Sequence, residues 1–135
     1  MTEFNVWAVV LAAVAGFVAA FGYYAALGGQ LVAVGSTAAH GGAAVDDRQA
    51  AWVPLFELIK HLLLAAVVAG LVVAIDIATW SDALVLGLAL WVGFPVVLLA
   101  GSVVHEKVPW RLAAIHAGDW FVKLLLVALI VGAWR

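Results

Sequence analysis

The chain has 135 residues, of which 68% are hydrophobic and 10% charged, with seven Trp, no Cys, a formal net charge of −2 and a mean hydropathy of +1.22. Such a balance lies far outside the range of soluble globular domains and marks an integral membrane protein. Lack of Cys excludes disulfides, thiolate zinc sites and ordinary iron–sulfur ligation, and lack of a basic cluster removes the electrostatic footprint of a nucleic-acid partner.

No basic residue precedes the first apolar run (Met1-Thr2-Glu3-Phe4-Asn5), so the first helix is expected to remain as an anchor rather than be cleaved as a signal peptide. Hydropathy and punctuation then predict one all-α transmembrane domain over residues 1–135, a polytopic bundle of four helices at about 6–27, 54–80, 82–104 and 109–134. On the first helix Ala12, Gly16 and Ala20 recur every fourth residue, and on the second Ala66, Gly70 and Ala74 do so. Each stripe would permit close backbone approach, although Ala-rich composition explains it equally well.

Between these helices the connection 28–53 is the only long one. It carries Gly28-Gly29, Gly35, Gly41-Gly42, His40 and the charge cluster Asp46-Asp47-Arg48, and reads as an interfacial loop, with a re-entrant segment as the alternative. Pro54 and Pro109 fit the first turn of a helix, where a missing N–H loses no intrahelical partner. Ser81 or Asp82 is expected to cap the third helix. Pro95, beside Gly93 in the middle of that helix, removes a backbone hydrogen bond and should bend it. Trp7, Trp52, Trp80, Trp110 and Trp134 fall at predicted helix ends, as an interfacial aromatic belt requires, whereas Trp91 and Trp120 fall mid-span and need another explanation. Arg48, Lys107 and Arg111 share one side against Arg135 on the other. By the positive-inside rule this places both termini outside a cytoplasmic (inner) membrane.

The expensive residues are inside the spans. Glu57, Lys60 and His61 stand at i, i+3 and i+4 on the second helix, and His116, Asp119 and Lys123 at i, i+3 and i+7 on the fourth, so each trio occupies one face. Ionisable groups in hydrocarbon are costly and normally face a bundle interior. The two trios are therefore expected to meet, with Lys60 against Asp119 or Glu57 against Lys123 as neutralising pairs. In both helices a His follows seven residues after a Val-Pro pair, at His61 and His116, which places both imidazoles roughly 10 Å deep from the same side. Two parallel helical-hairpin repeats would leave this pattern, and so would coincidence.

Three uses of such a centre compete. A polar path for protons, an ion or a small polar solute would use the carboxylates and imidazoles as relay or binding groups, making the protein a transporter or channel. A structural or accessory membrane subunit would use the charges to fix helix register. A metal site would take Glu57, His61, His116 and Asp119 as ligands for a transition metal, or the two His for a haem, against the disfavour of two neighbouring lysines. No cofactor is the expectation. No nucleophile elbow, phosphate loop or zinc-protease motif occurs, so nothing supports an enzyme. Asp76, His105, Glu106 and Lys107 lie at helix ends and read as interfacial. The partners expected are the lipid bilayer and further copies of the chain in a homo-oligomer, or a complex that it serves.

Gly87, the run Trp91-Val92-Gly93-Phe94, Glu106 with Pro109-Trp110, Ala117-Gly118 and the closing Gly132-Ala133-Trp134 together resemble a family of small bacterial four-helix membrane proteins known only as a domain of unknown function. Gly22-Tyr23-Tyr24 looks like that family's aromatic pair at the end of the first helix. The resemblance is strongest over the last two helices. It implies a polytopic inner-membrane protein and supplies no activity.

Overall fold

The structure, a computed structural model, describes residues 3–34 and 47–134. Its elements are α1 (Val6–Ala26), α2 (Gly28–Ala33), α3 (Asp47–Ala74), α4 (Trp80–Trp91), a π-helical segment (Val92–Val96), α5 (Val97–His105) and α6 (Trp110–Ala133), with no strand among the described residues. Four stretches are long and apolar enough to cross a bilayer: Val6–Ala26, Trp52–Ala74, Trp80–His105 and Trp110–Ala133. The all-α, four-span architecture expected from hydropathy is the one observed. An even number of spans returns the chain to its starting face, where the Asn5 side-chain amide donates to the Trp134 carbonyl at 3.4 Å.

Helix boundaries depart from expectation at three places. First, α3 begins at Asp47 rather than at Pro54, so the proline lies inside the helix, and part of the expected loop 28–53 is helical at both ends. Pro54 forfeits one backbone bond there, in a stretch ahead of most of the apolar span. His40 and Asp46 lie outside the described residues. Second, α3 stops at Ala74 rather than near Trp80, because Asp76 takes a left-handed conformation (φ 51°). Asp tolerates that region better than most residues do. Third, the cap of α4 is Thr79 and neither Ser81 nor Asp82: Thr79 Oγ1 accepts from the Asp82 N–H at 3.1 Å, and the Thr79 hydroxyl donates back to the Asp82 carboxylate at 2.7 Å. This reciprocal pair satisfies an otherwise unpaired first-turn donor.

At Pro95, where a bend was expected, the helix accommodates the lost backbone hydrogen bond by widening. Val92–Val96 forms a π turn that joins α4 to α5 without ending the span. Trp7, Trp52, Trp80, Trp110 and Trp134 are all exposed at or beside the ends of the four candidate spans, consistent with an interfacial belt.

Helix α6 is the hub, packing along α1, α3 and α4, whereas α3 and α4 barely meet despite being consecutive. The reason is side-chain size. On α4, Ala83 and Gly87 face Gly132 and Ala128 of α6, and a methyl added at Gly87 would sit 3.0 Å from the Leu124 carbonyl oxygen. On α1, Ala12, Gly16 and Ala20 are buried, so that small-residue stripe does form a packing face. The Ala66-Gly70-Ala74 stripe does not. Gly70 has open space around it, and the buried line of α3 is His61, Ala65, Val68, Ala69 and Val72. Of these, Ala65, Val68, Ala69 and Val72 form an apolar core with Val127 and Val131 of α6 and Ala12 and Ala13 of α1. The polar residues lie on the other side of it, toward the face that carries the α1–α3 connection and the α5–α6 turn.

Candidate functional site

Toward that face α1, α3 and α6 line an open cavity of about 630 Å³. All six residues singled out from the sequence line it, together with Phe17, Ala20, Phe21, Tyr24, Ala25 and Trp120. The i, i+3, i+4 and i+7 spacings account for this, since each trio occupies one stripe and the two stripes face each other. Exposure distinguishes the outer wall, where Phe21, Ala25 and Lys60 are exposed, from the buried His61, Asp119 and Lys123, and Lys123 lies about 6 Å further along α6 than Asp119.

The expected cross-bundle pairs do not form. Each carboxylate is neutralised by a lysine of its own helix: Lys60 Nζ lies 3.0 Å from Glu57 Oε1, and Lys123 Nζ lies 2.7 Å from Asp119 Oδ2. An i,i+3 or i,i+4 pair needs no help from tertiary structure to find its geometry, so it forms first. The two pairs differ in worth. Glu57 and Lys60 are 38% and 47% exposed, a partly solvated pair of small value. Asp119 and Lys123 are 4% and 8% exposed, so either charge alone would be strongly destabilising. Lys123 Nζ also lies 4.6 Å from the centre of the Trp120 ring, a cation–π contact in a desolvated setting. That explains one mid-span tryptophan. The other, Trp91, donates its indole N–H to the Ala117 carbonyl at 2.8 Å and packs edge-on against Phe121, tying α4 to α6.

Tyr24 is the principal residue that sequence reasoning left out of the centre. Its hydroxyl lies 2.7 Å from His116 Nδ1 and 3.3 Å from Asp119 Oδ2. A phenol has one proton and an ionised carboxylate can only accept, so one assignment satisfies both contacts: Tyr24 donates to Asp119, and the His116 Nδ1–H donates to the Tyr24 oxygen. The result is a chain in which His116 donates to Tyr24 and Tyr24 to Asp119, with Lys123 donating to the same carboxylate from the other side. Next to it, Tyr23 donates to the Ile115 carbonyl at 2.7 Å, with Gly118 leaving the space its hydroxyl needs. The signal was available. Tyr23 and Tyr24 close the first helix at the face where the second and fourth begin, the right depth to reach His116. Tyr24→Phe is expected to destabilise the bundle by about 1 kcal/mol through loss of the bridge. Chemical denaturation in detergent measures this, and an unchanged midpoint would mean that the bridge contributes nothing.

His61 is 3% exposed. Its Nδ1 lies 2.7 Å from the Glu57 carbonyl oxygen, which can only accept, so Nδ1 carries the proton. Phe17 packs edge-on against the ring, and Gly16 lets the ring approach, since a methyl there would meet His61 Cδ2 at 3.1 Å. Among the described residues, the buried side-chain atoms His61 Nε2 and Asp119 Oδ1 have no hydrogen-bonding partner. As a metal site the constellation is poorly assembled: among the described residues no three His, Asp or Glu side chains converge as ligands would. Glu57 is held by Lys60, and Asp119 by Lys123 and Tyr24.

No curated protein and no solved structure gives a significant match to the chain. Residues 7–132 match the family described as "Protein of unknown function (DUF1761)". The match takes in all four spans, a wider likeness than the last two helices alone suggested. The chain belongs to that family.

Proposed function

We propose that the protein transports a small polar solute or ion across the membrane, with the cavity between α1, α3 and α6 as its binding site. The observation that carries this reading is the cavity of about 630 Å³ lined by buried Asp119, Lys123 and His61 within spans otherwise built of Ala, Val and Leu. Polar groups at that depth are expensive, and they lie against a space of the size that small molecules occupy. The register-fixing alternative is weakened by the ion pairs themselves. Both are intrahelical, so neither joins one helix to another.

The cavity is one-sided. Beyond Lys123 the bundle closes on Val68, Val72, Val127 and Val131, each 5% exposed or less. A carrier that alternates between faces therefore fits better than an open pore. With Lys107 and Arg111 on the side of the mouth, the positive-inside rule turns the mouth to the cytoplasm.

Ala25→Trp tests the reading, because Ala25 is an exposed mouth residue that makes none of the polar contacts. Flux of solutes and ions into liposomes should fall about ten-fold or more in this variant, with thermal stability unchanged. Wild-type liposomes no more permeable than protein-free ones, across protons, inorganic ions and small uncharged solutes, would overturn transport.

A further inference from the structure

Trp120 lines more than the polar cavity. It is also part of a groove of about 470 Å³ that runs between α3 and the span built from α4, the π turn and α5, with the buried Leu124 of α6 at its floor. We infer that the protein binds a single-chain amphiphile of the surrounding bilayer, seating the polar head in the cavity and the hydrocarbon chain in the groove. The inference concerns what binds rather than what crosses, so it goes beyond the transport reading and does not depend on it.

Three observations carry it. The first is continuity. The stripe of α3 that lines the cavity at Lys60 lines the groove from the next turn onward, at Leu64, Val67 and Leu71, which stand at i+4, i+7 and i+11 from that lysine. On α6, Trp120 belongs to both walls, one turn from Lys123 in the cavity and one turn from Leu124 in the groove. The second is polarity arranged in the order of a lipid. Trp52 and Trp110 mark the interface on the cavity's face of the bundle. Lys60 lies about 12 Å past Trp52 along its helix and His116 about 9 Å past Trp110, whereas Leu71 lies about 28 Å past Trp52. Charged groups therefore precede a lining that is apolar apart from the Trp120 indole nitrogen. The third is a route of entry. Because α3 and α4 barely meet, the groove is open along its side, where Val67, Phe94 and Leu98 are each more than half exposed. The π turn, a departure from α geometry that recurs at functional sites, supplies Phe94 and Pro95 to its wall.

The chemistry of the ligand follows from these parts. Lipid tails are as apolar as Leu, so a chain gains little by exchanging bilayer for groove, and hydrocarbon alone is not selected. Selection comes from the cavity, whose charged groups receive a polar head below the level at which heads ordinarily sit. A second chain would be drawn down with that head, and its ester linkage would enter hydrocarbon without a hydrogen-bonding partner. A single chain avoids this cost.

Lysophosphatidylcholine with a diazirine near the end of its acyl chain tests the inference on the full chain in phosphatidylcholine nanodiscs, with the labelled residues mapped by mass spectrometry. Its zwitterionic head suits a lining that carries charges of both signs. Labelling should concentrate on residues 64–71 and 94–99, the two walls of the groove. Unlabelled lysophosphatidylcholine should lower it about ten-fold, whereas dodecane, which has no head, and glycerophosphocholine, which has no chain, should leave it unchanged at the same concentration. Those comparisons need no variant to fold. Val67→Trp, at a lipid-facing position outside the cavity, should fill the groove and lower its labelling to a similar extent. Labelling spread evenly over the lipid-facing residues of all four spans, competition by dodecane or glycerophosphocholine equal to that by the lysolipid, or groove labelling undiminished in Val67→Trp would overturn the inference. The liposome flux of wild type and Ala25→Trp decides transport separately.

Discussion

Asp119→Ala is expected to destabilise the protein by about 3–5 kcal/mol, the largest effect of any single change in the centre. The loss comes less from the missing attraction than from what is left behind. Lys123, 8% exposed at its side chain, would be left with only the Trp120 face for company. Asp119→Leu combined with Lys123→Met should therefore be far milder than Asp119→Ala alone, and close to wild type, because the pair is removed together and the volume is kept. Tyr24 need not be stranded in the double variant: its O–H can turn to His116 Nδ1 once that imidazole carries its proton on Nε2. Denaturation of the three proteins in one detergent measures the cycle. A double variant as unstable as Asp119→Ala would show that packing around Asp119, and not the unpaired lysine, sets the loss.

Gly132→Ala should destabilise by about 1–3 kcal/mol, although it replaces Gly with a better helix former. The added methyl would run into the methyl of Ala83, a residue that is 0% exposed and has no rotamer to yield, with the Trp80 and Ala83 Cα atoms just behind it. Only a shift of α4 away from α6 relieves the overlap. Gly70→Ala provides the control, since nothing lies within 4 Å of the added atom. It should stabilise by roughly 0.5–1 kcal/mol, the ordinary gain from Gly to Ala in a helix. Opposite signs for the two substitutions are the expected result. If both stabilise, α4 and α6 are not in close contact.

Much of this architecture was legible in the chain because hydrocarbon imposes one demand on every span. Apolar runs of sufficient length had to be helices, and the tryptophans marked their ends. Helix termini were less legible where two signals disagreed: Pro54 resembles a helix start but sits inside α3, and Ile75 and Ile77 extend the hydropathy of α3 past the point where Asp76 turns the backbone. The polar stripes were visible from spacing alone. Their partners were misjudged because charges on facing helices were matched before charges on the same helix, although Glu57–Lys60 and Asp119–Lys123 already stood at i,i+3 and i,i+4. Tyr24 and Trp120, both conspicuous in the sequence, could not be assigned to the polar centre for another reason. An amphipathic ring suits an interface and a polar pocket equally, and only three-dimensional neighbours distinguish the two.

Keeping each ion pair within one helix also matters before the bundle exists. A helix entering a bilayer during synthesis is judged largely by its own sequence, and a lone lysine or aspartate at its centre is penalised heavily. In α6 the penalty is reduced at once, because Lys123 and Asp119 can neutralise each other across one turn with no other helix present. The same holds for Lys60 and Glu57 in α3, where the pair also lies near the water interface. Each span can thus be accepted by the membrane as a nearly neutral rod. Since α6 is the helix on which α1, α3 and α4 all pack, a ribosome must carry the chain past Ala133 before these contacts can close. Until then, self-contained neutrality is what lets the earlier helices wait in lipid.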